Sequence, residues 1–364
     1  MINLFCVRPR GLNIGNQIIN ASLRRMLRES FEEPVNLIEV PADGPEQDGW
    51  VTGLSARAVH EMNQYGHGVV LGGGNLYENG RLEFDPGALR RLQPPLLLCG
   101  LSWGRIYDRR DRLRPRTDSL PDDAIGALHA AASRHLVRDD ATLAHLEGLG
   151  LDDVRLAGCP AMFAGELAPR LSPRPDSAPV LVAVRNPELM SVPLRHRARV
   201  ASAVGDIVGL LEERSPAPVC LLCNDRRDMA FAASLDGVPY LLADDLDDYL
   251  GLLRRAPLLV SFRLHASVPA LALGTPAINL SYDERSLSLV RTLGLGEWDI
   301  DFVLEDDPVE AVRDRVDRIV EFDAVALRER GRWDALRATM LGEIEAFAAD
   351  VGAYAAEEAS PEPV

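Results

Sequence analysis

A chain of 364 residues is longer than one hydrophobic core usually supports, so two domains are expected. Its formal net charge of −16 makes a nucleic-acid polyanion an unsuitable partner, because that binding needs a basic surface. All 39 basic residues are arginine. Lysine Schiff-base chemistry and the P-loop are thereby excluded, and an anionic ligand must be held by arginine, backbone N–H groups or helix dipoles.

Hydrophobic content of 47% and charged content of 26% are those of an ordinary globular protein. No apolar run reaches the length of a membrane span, and the N-terminus opens on a strand-like segment rather than a signal peptide. A cytoplasmic protein without stable membrane insertion is expected. The five cysteines are scattered and odd in number, which argues against a disulfide framework.

In chain order, the first half alternates strand and helix. Apolar runs predict strands over 2–7, 35–40, 68–71, 95–99, 135–138 and 154–156. Helical periodicity predicts helices over 15–29, 53–65, 122–133 and 141–149. The stretch 164–179, rich in proline and serine, reads as a linker. The pattern then restarts, with strands over 180–184, 219–223, 258–260 and 277–280 and helices over 195–213, 246–254, 309–320 and 324–349. Short strands separated by helices imply parallel, doubly wound sheets. The expected division is a domain over 1–165, a second over 178–322, a helix over 323–356 packing back across both, and a disordered tail over 357–364. Two such domains face each other across a cleft, where ligands favour binding.

Four loops at predicted strand ends carry candidate chemistry. The turn from Gly11 to Asn16 (GLNIGN) opens a helix whose N-terminus favours an anion. The run Gly72, Gly73, Gly74 before Asn75 costs conformational entropy, so it needs unusual dihedrals or a close approach. Gly100 to Gly104 matches G-x-S-x-G around Ser102, but the charged stretch behind it, ending at Pro115, is not the helix a hydrolase elbow requires. It reads instead as a ligand-facing loop. Ser261, Arg263 and His265 lie where a strand meets a helix, and Arg185 ends another strand, so the two arginines and the histidine can converge on a small, highly charged anion. Taken alone, an Arg-x-His pair can equally be a paired arginine and a satisfied helix histidine. Cys220 and Cys223 fall three apart in an apolar strand and point to opposite faces, which makes them core. No histidine spacing suits a metal. Asp244, Asp245, Asp247 and Asp248 read as a solvated helix start.

In order and spacing these segments resemble the polysaccharide pyruvyl transferase family over roughly residues 1–300. The matching pieces are Asn13 to Asn16 (NIGN), Val70 to Asn75 (VLGGGN), the Gly100–Gly104 loop, Val137 to Asp139 (VRD) and Gly158 to Pro160 (GCP). They continue with the strand end at Arg185, Ser261 to His265 (SFRLH), and Gly274 to Pro276 (GTP) leading to Tyr282. The resemblance implies a GT-B-like α/β fold, two Rossmann-like domains with parallel sheets facing a central cleft. It also implies transfer of a pyruvyl group from phosphoenolpyruvate to hydroxyls of a sugar or glycoconjugate as a cyclic ketal. In that scheme His265 is the catalytic acid and base, and Arg263 and Arg185 hold carboxylate and phosphate. Asn13, Gly15, Asn16, Gly73, Gly74, Asn75, Ser102, Ser261 and Tyr282 are expected at the substrates. No metal or organic cofactor is called for, and an imidazole titrating near neutrality suits the proton transfers. Two departures stand out: Asn16 replaces the usual Asp, and Glu284-Arg285 stands where a lysine often follows the tyrosine. Two other readings stay open at this stage, a GT-B glycosyltransferase using a nucleotide sugar and a non-catalytic glycan- or protein-binding member of the family.

Overall fold

The computed structural model describes residues 1–9, 13–44, 51–78, 80, 82–167, 178–243 and 245–358. Gly11, most of the expected linker, Asp244 and positions 359–364 of the expected tail lie outside the described residues.

The first half supplies β1 (Ile2–Arg8), β2 (Val35–Pro41), β3 (Gly68–Gly74), β4 (Leu96–Leu101), the two-residue hairpin strands β5 (Ile106–Tyr107) and β6 (Leu113–Arg114), β7 (Arg134–Val137) and β8 (Arg155–Leu156). The second half supplies β9 (Val180–Val184), β10 (Val219–Cys223), β11 (Tyr240–Leu242), β12 (Leu259–Ser261), β13 (Ala277–Ser281) and β14 (Asp299–Asp301). Apart from the separate antiparallel pair β5-β6, they form two six-stranded sheets, ordered β2-β1-β3-β4-β7-β8 and β11-β10-β9-β12-β13-β14. Every pairing within both is parallel. β3, β4, β9, β10 and β13 are buried along their whole length, as continuous apolar runs under helices on both faces must be.

Strand order decides where a ligand can sit. The second sheet has the Rossmann order, reversing between β9 and β12; the first reverses between β1 and β3. At such a reversal the connections leave in opposite directions and open a crevice beyond the carboxyl ends of the strands. Arg185 follows β9 and Arg263 follows β12, while Asn13 and Asn16 follow β1 and Asn75 follows β3. The candidate residues thus sit at the two switch points.

Most predicted elements are present with ends moved by a few residues. The helix expected from Gly53 begins at Ala56, because Gly53 takes a φ of +54° and Ser55 caps the helix by accepting from Ala58 N. The helix expected from Ala324 runs from Phe322 to Glu358 and takes in Glu357, which the sequence had assigned to the tail. The edge strands β11 and β14 and the helix Glu284–Thr292 were not foreseen. β14 reads Asp-Ile-Asp and carries no apolar run.

One apolar cluster runs from the inner face of the first sheet through the second half, and a separate one fills the outer layer of the first half. Polar contacts tie the halves together. Helix Glu284–Thr292 lies against helix Asp140–Gly148, with Ser288 Oγ donating to Asp139 at 3.0 Å and Asp140 N donating to Thr292 Oγ1 at 3.0 Å. Arg105 from the first half chelates Glu284, its Nε lying 2.8 and 2.9 Å from the two carboxylate oxygens. The long C-terminal helix touches both halves: Arg134 donates to Asp350 at 2.9 Å, and Trp333 Nε1 donates to Leu293 O at 2.8 Å. Among the described residues no helix is long and apolar enough to cross a membrane.

Candidate active site

A cleft of about 530 Å³ opens where the two switch points face each other, lined from both halves. Asn13, Asn16, Asn75, Arg185, Arg263, His265 and Tyr282 all line it. Asn13 caps helix Ile14–Ser30, its Oδ1 accepting from Gly15 N at 2.9 Å, which leaves its amide N–H groups for the cleft. Gly73 and Gly74, at φ of +91° and +99°, let the chain turn beside Asn16 so that Asn75 reaches the same cleft. These two glycines and Gly15 shape the wall without themselves lining it.

Two expectations need correcting. Ser102 and Ser261 are fully buried and do not reach the cleft. Ser261 Oγ is used in its own turn, accepting from Arg263 N at 3.0 Å and donating to Arg263 O at 2.9 Å. Its role is to set the chain direction that presents Arg263. Ser102 precedes Trp103, whose backbone N–H donates to Thr142 Oγ1 at 3.0 Å. The chain stays buried where it leaves β4, so the side chain faces the interior.

Arg185 and Arg263 meet at one buried carboxylate. Asp228 Oδ1 accepts from Arg185 Nη1 at 3.3 Å, and Oδ2 lies 3.6 Å from Arg263 Nη1. Burial, then the neighbouring Arg263, lowers the pKa of Arg185. Tyr282 lines the cleft with both arginines, and burial raises its hydroxyl pKa. Four further cations line the cleft: Arg138, just after β7, Arg226 and Arg227 after β10, and Arg285. Arg285 bridges the halves, pairing with Asp283 and donating to the buried Glu78 at 2.9 Å. Arg138 obeys the strand-end rule that singled out Arg185 and Arg263, so the signal was there. Arg285 offered no strand-end signal, because the helix that carries it was not predicted, and it stood out only as the residue found where the resemblance often has a lysine.

His265 does not titrate near neutrality in this site. Burial, then Arg138, Arg263 and Arg285, pushes its imidazole down to about 3. The ring is held on two sides from the first half. Its Nε2 lies 3.8 Å from Cys159 Sγ, and Gly15 packs against its Cβ. Its backbone, at φ −85° and ψ 19°, departs from helical geometry within helix Leu264–Ala272, which turns the ring out of the helical stack. The buried Cys159 thiol has its pKa raised by burial, so it meets the imidazole as a neutral group. Such a site can hold a multiply charged anion on arginine forks beside a neutral imidazole, facing a wall of amides. No group of three metal-ligating side chains occurs among the described residues.

The family model for polysaccharide pyruvyl transferase matches residues 13–284, three-quarters of the chain, including Asn13, Arg138, Arg185, Arg263, His265 and Tyr282. The chain belongs to the polysaccharide pyruvyl transferase family. It is a transferase-type enzyme by that membership. No curated protein matches it in a sequence search. Among solved structures it is similar to UDP-GlcNAc 2-epimerase of Methanocaldococcus jannaschii, with a TM-score of 0.55 at 10% identity over 87% of this chain and 92% of that one. It is similar to a putative UDP-N-acetylglucosamine 2-epimerase of Listeria monocytogenes, with a TM-score of 0.56 at 11% identity over 100% of this chain and 98% of that one. It is also similar to UGT2 of Phytolacca americana, with a TM-score of 0.53 at 11% identity over 95% and 98% of the two chains. At such identities the likeness is one of fold, and the fold is GT-B. The expected family and fold are thus both borne out.

Proposed function

We propose that this member of the family transfers a pyruvyl group from phosphoenolpyruvate to two hydroxyls of a sugar or glycoconjugate, forming a ketal and releasing phosphate. The observation that carries the reading is the meeting of Arg185 and Arg263 at the second switch point, with His265 beside them. Phosphoenolpyruvate is a compact anion carrying a carboxylate and a phosphate, and guanidinium forks match both. The amide wall formed by Asn13, Asn16 and Asn75 suits neutral hydroxyls, which accept and donate hydrogen bonds. The donor then lies on the second half of the chain and the acceptor on the first.

The steps balance with this chain's own residues. Neutral His265 takes the proton of one acceptor hydroxyl as its oxygen bonds to C2 of the donor, and delivers a proton to C3, turning the methylene into a methyl group. The bound trianion offsets the arginines that depress the imidazole, which makes the imidazolium accessible during the reaction. The second hydroxyl then bonds to C2 as the C2–O bond to phosphate breaks, and its proton leaves with the phosphate. Arginine forks stabilise the charge that gathers on the leaving group.

The test is release of inorganic phosphate from phosphoenolpyruvate in the presence of a glycan extract, together with the thermal shift each ligand produces. Phosphoenolpyruvate should raise the melting temperature of the protein, and Arg263→Ala should abolish the rise. A rise with a nucleoside diphosphate-sugar, the kind of ligand bound in the M. jannaschii and Phytolacca neighbours, and none with phosphoenolpyruvate would instead favour a glycosyltransferase.

A further inference from the structure

We propose that Asp228 is a positioning residue that splays the Arg185 and Arg263 forks toward the donor anion and, by its charge, keeps the released phosphate from being held too tightly. The inference rests on the reading of those two arginines as holders of the donor.

Asp228 is fully buried and does not line the cleft, so it is no ligand of the substrate itself. It is fixed from behind: Asn186 N donates to its Oδ1 at 3.0 Å, and it lies at the end of the short turn Arg226–Asp228 that follows β10. What sets it apart is how loosely it holds its arginines. Elsewhere in the chain carboxylates close the guanidinium fork upon themselves, as when Arg227 Nε meets both oxygens of Asp225 at 2.9 and 3.0 Å. At Asp228 each arginine presents a single terminal nitrogen, at 3.3 Å and 3.6 Å, and Arg185 Nε has no hydrogen-bond partner. The forks are oriented but not consumed: the Arg185 Nε is buried without a partner, and both arginines line the cleft in which a ligand would meet them.

The charge matters as much as the geometry. Two guanidiniums sharing one carboxylate present a net single positive charge to the donor; without it they present two. Extra attraction of that kind acts on substrate and product phosphate alike, so it tightens binding without raising turnover and slows release. A buried carboxylate between the two arginines therefore trades ground-state affinity for orientation and release.

The experiment measures binding of inorganic phosphate and of phosphoenolpyruvate by titration calorimetry, and phosphate release with a glycan extract, for the full chain and two variants. Asp228→Asn keeps the shape and removes the charge. It should bind inorganic phosphate about tenfold more tightly and turn over at least about tenfold more slowly, with KM for phosphoenolpyruvate falling alongside kcat. Asp228→Glu keeps the charge and moves it by one methylene. It should bind phosphate within about threefold of wild type while losing kcat, which separates orientation from charge. Phosphate binding in Asp228→Asn that is unchanged or weaker than in wild type, while wild type still binds phosphoenolpyruvate, overturns the role of Asp228 and leaves the donor assignment standing. If wild type binds neither phosphoenolpyruvate nor phosphate, the donor assignment fails and the role of Asp228 falls with it.

Discussion

Gly15 and His265 come from opposite halves of the chain and pack without room for one more carbon: a Cβ on Gly15 would lie 2.4 Å from Cβ of His265. Both atoms are fixed to backbone, so no rotamer change relieves the clash. The helix of the first half and the helix of the second are therefore seated on each other at the imidazole. Gly15→Ala should force them apart on the scale of an ångström, lowering phosphate release about 100-fold and stability by about 1–3 kcal/mol. Kinetics together with urea unfolding check both. Activity within a few-fold of wild type would mean that the seating does not position the ring.

The state of His265 can be read directly. Its imidazole is pushed down to about 3 by burial and by Arg138, Arg263 and Arg285, so it should stay neutral from pH 5 to pH 8 in the ligand-free protein. A bound phosphoenolpyruvate places negative charge beside the same arginines and should move the midpoint upward. NMR of histidine-labelled protein, with His265→Gln to assign the signal, measures both states. A midpoint near 6.5 without ligand would contradict the electrostatic picture.

Arg138 and Arg285 should matter to the reaction despite lying outside the arginine pair at the second switch point. Arg138→Gln removes a cation that acts on His265 without emptying the Arg185–Arg263 site. Phosphoenolpyruvate binding should weaken by no more than about tenfold, while the midpoint of His265 rises. Calorimetry and the same histidine signal distinguish this from a simple loss of fold.

Asp299 gives a pH signature of stability. Burial raises its carboxyl pKa from 3.8 to about 6, while Asn279 and Ser281 donate to its Oδ1 at 2.8 and 2.7 Å. With the folded-state pKa above the unfolded one, the native state binds the proton more tightly. Stability contributed by Asp299 is then present below about pH 4 and lost as pH rises through about 6. Asp299→Asn keeps an accepting carbonyl and removes the desolvated charge. It should stabilise the protein by about 1–3 kcal/mol at pH 8 and change nothing at pH 3.5, as read by urea unfolding.

The latch between the halves should carry measurable energy. Glu284 is buried and chelated by Arg105, whose backbone N–H also donates to it at 2.9 Å. Glu284→Ala removes this latch while leaving the half-exposed Arg105 guanidinium to water, and should cost about 1–2 kcal/mol, lowering the urea midpoint. A split into two unfolding transitions would show that the pair couples the halves.

Local signals in the sequence were enough to determine the buried central strands and where charged groups stand relative to them, though not the edge strands β11 and β14. An apolar run followed by a helix puts Arg185, Arg263 and His265 at carboxyl ends of strands whatever the rest of the chain does, and an all-arginine composition leaves them as the anion holders. The glycines before Asn75 announced the left-handed dihedrals they adopt. What the sequence could not supply was everything that depends on one half meeting the other. Ser102 and Ser261 have the right neighbours in sequence and the wrong surroundings in space. Arg285 reaches the cleft from a helix whose pattern is only intelligible against helix Asp140–Gly148. Asp228 shows no motif at all, since its meaning comes from two arginines that lie 43 and 35 positions away in the numbering. The protonation of His265 was misjudged for the same reason. A pKa is set by burial and by charges brought near through space, and Arg138, Arg263 and Arg285 become neighbours of that ring only when both sheets are folded and seated on each other.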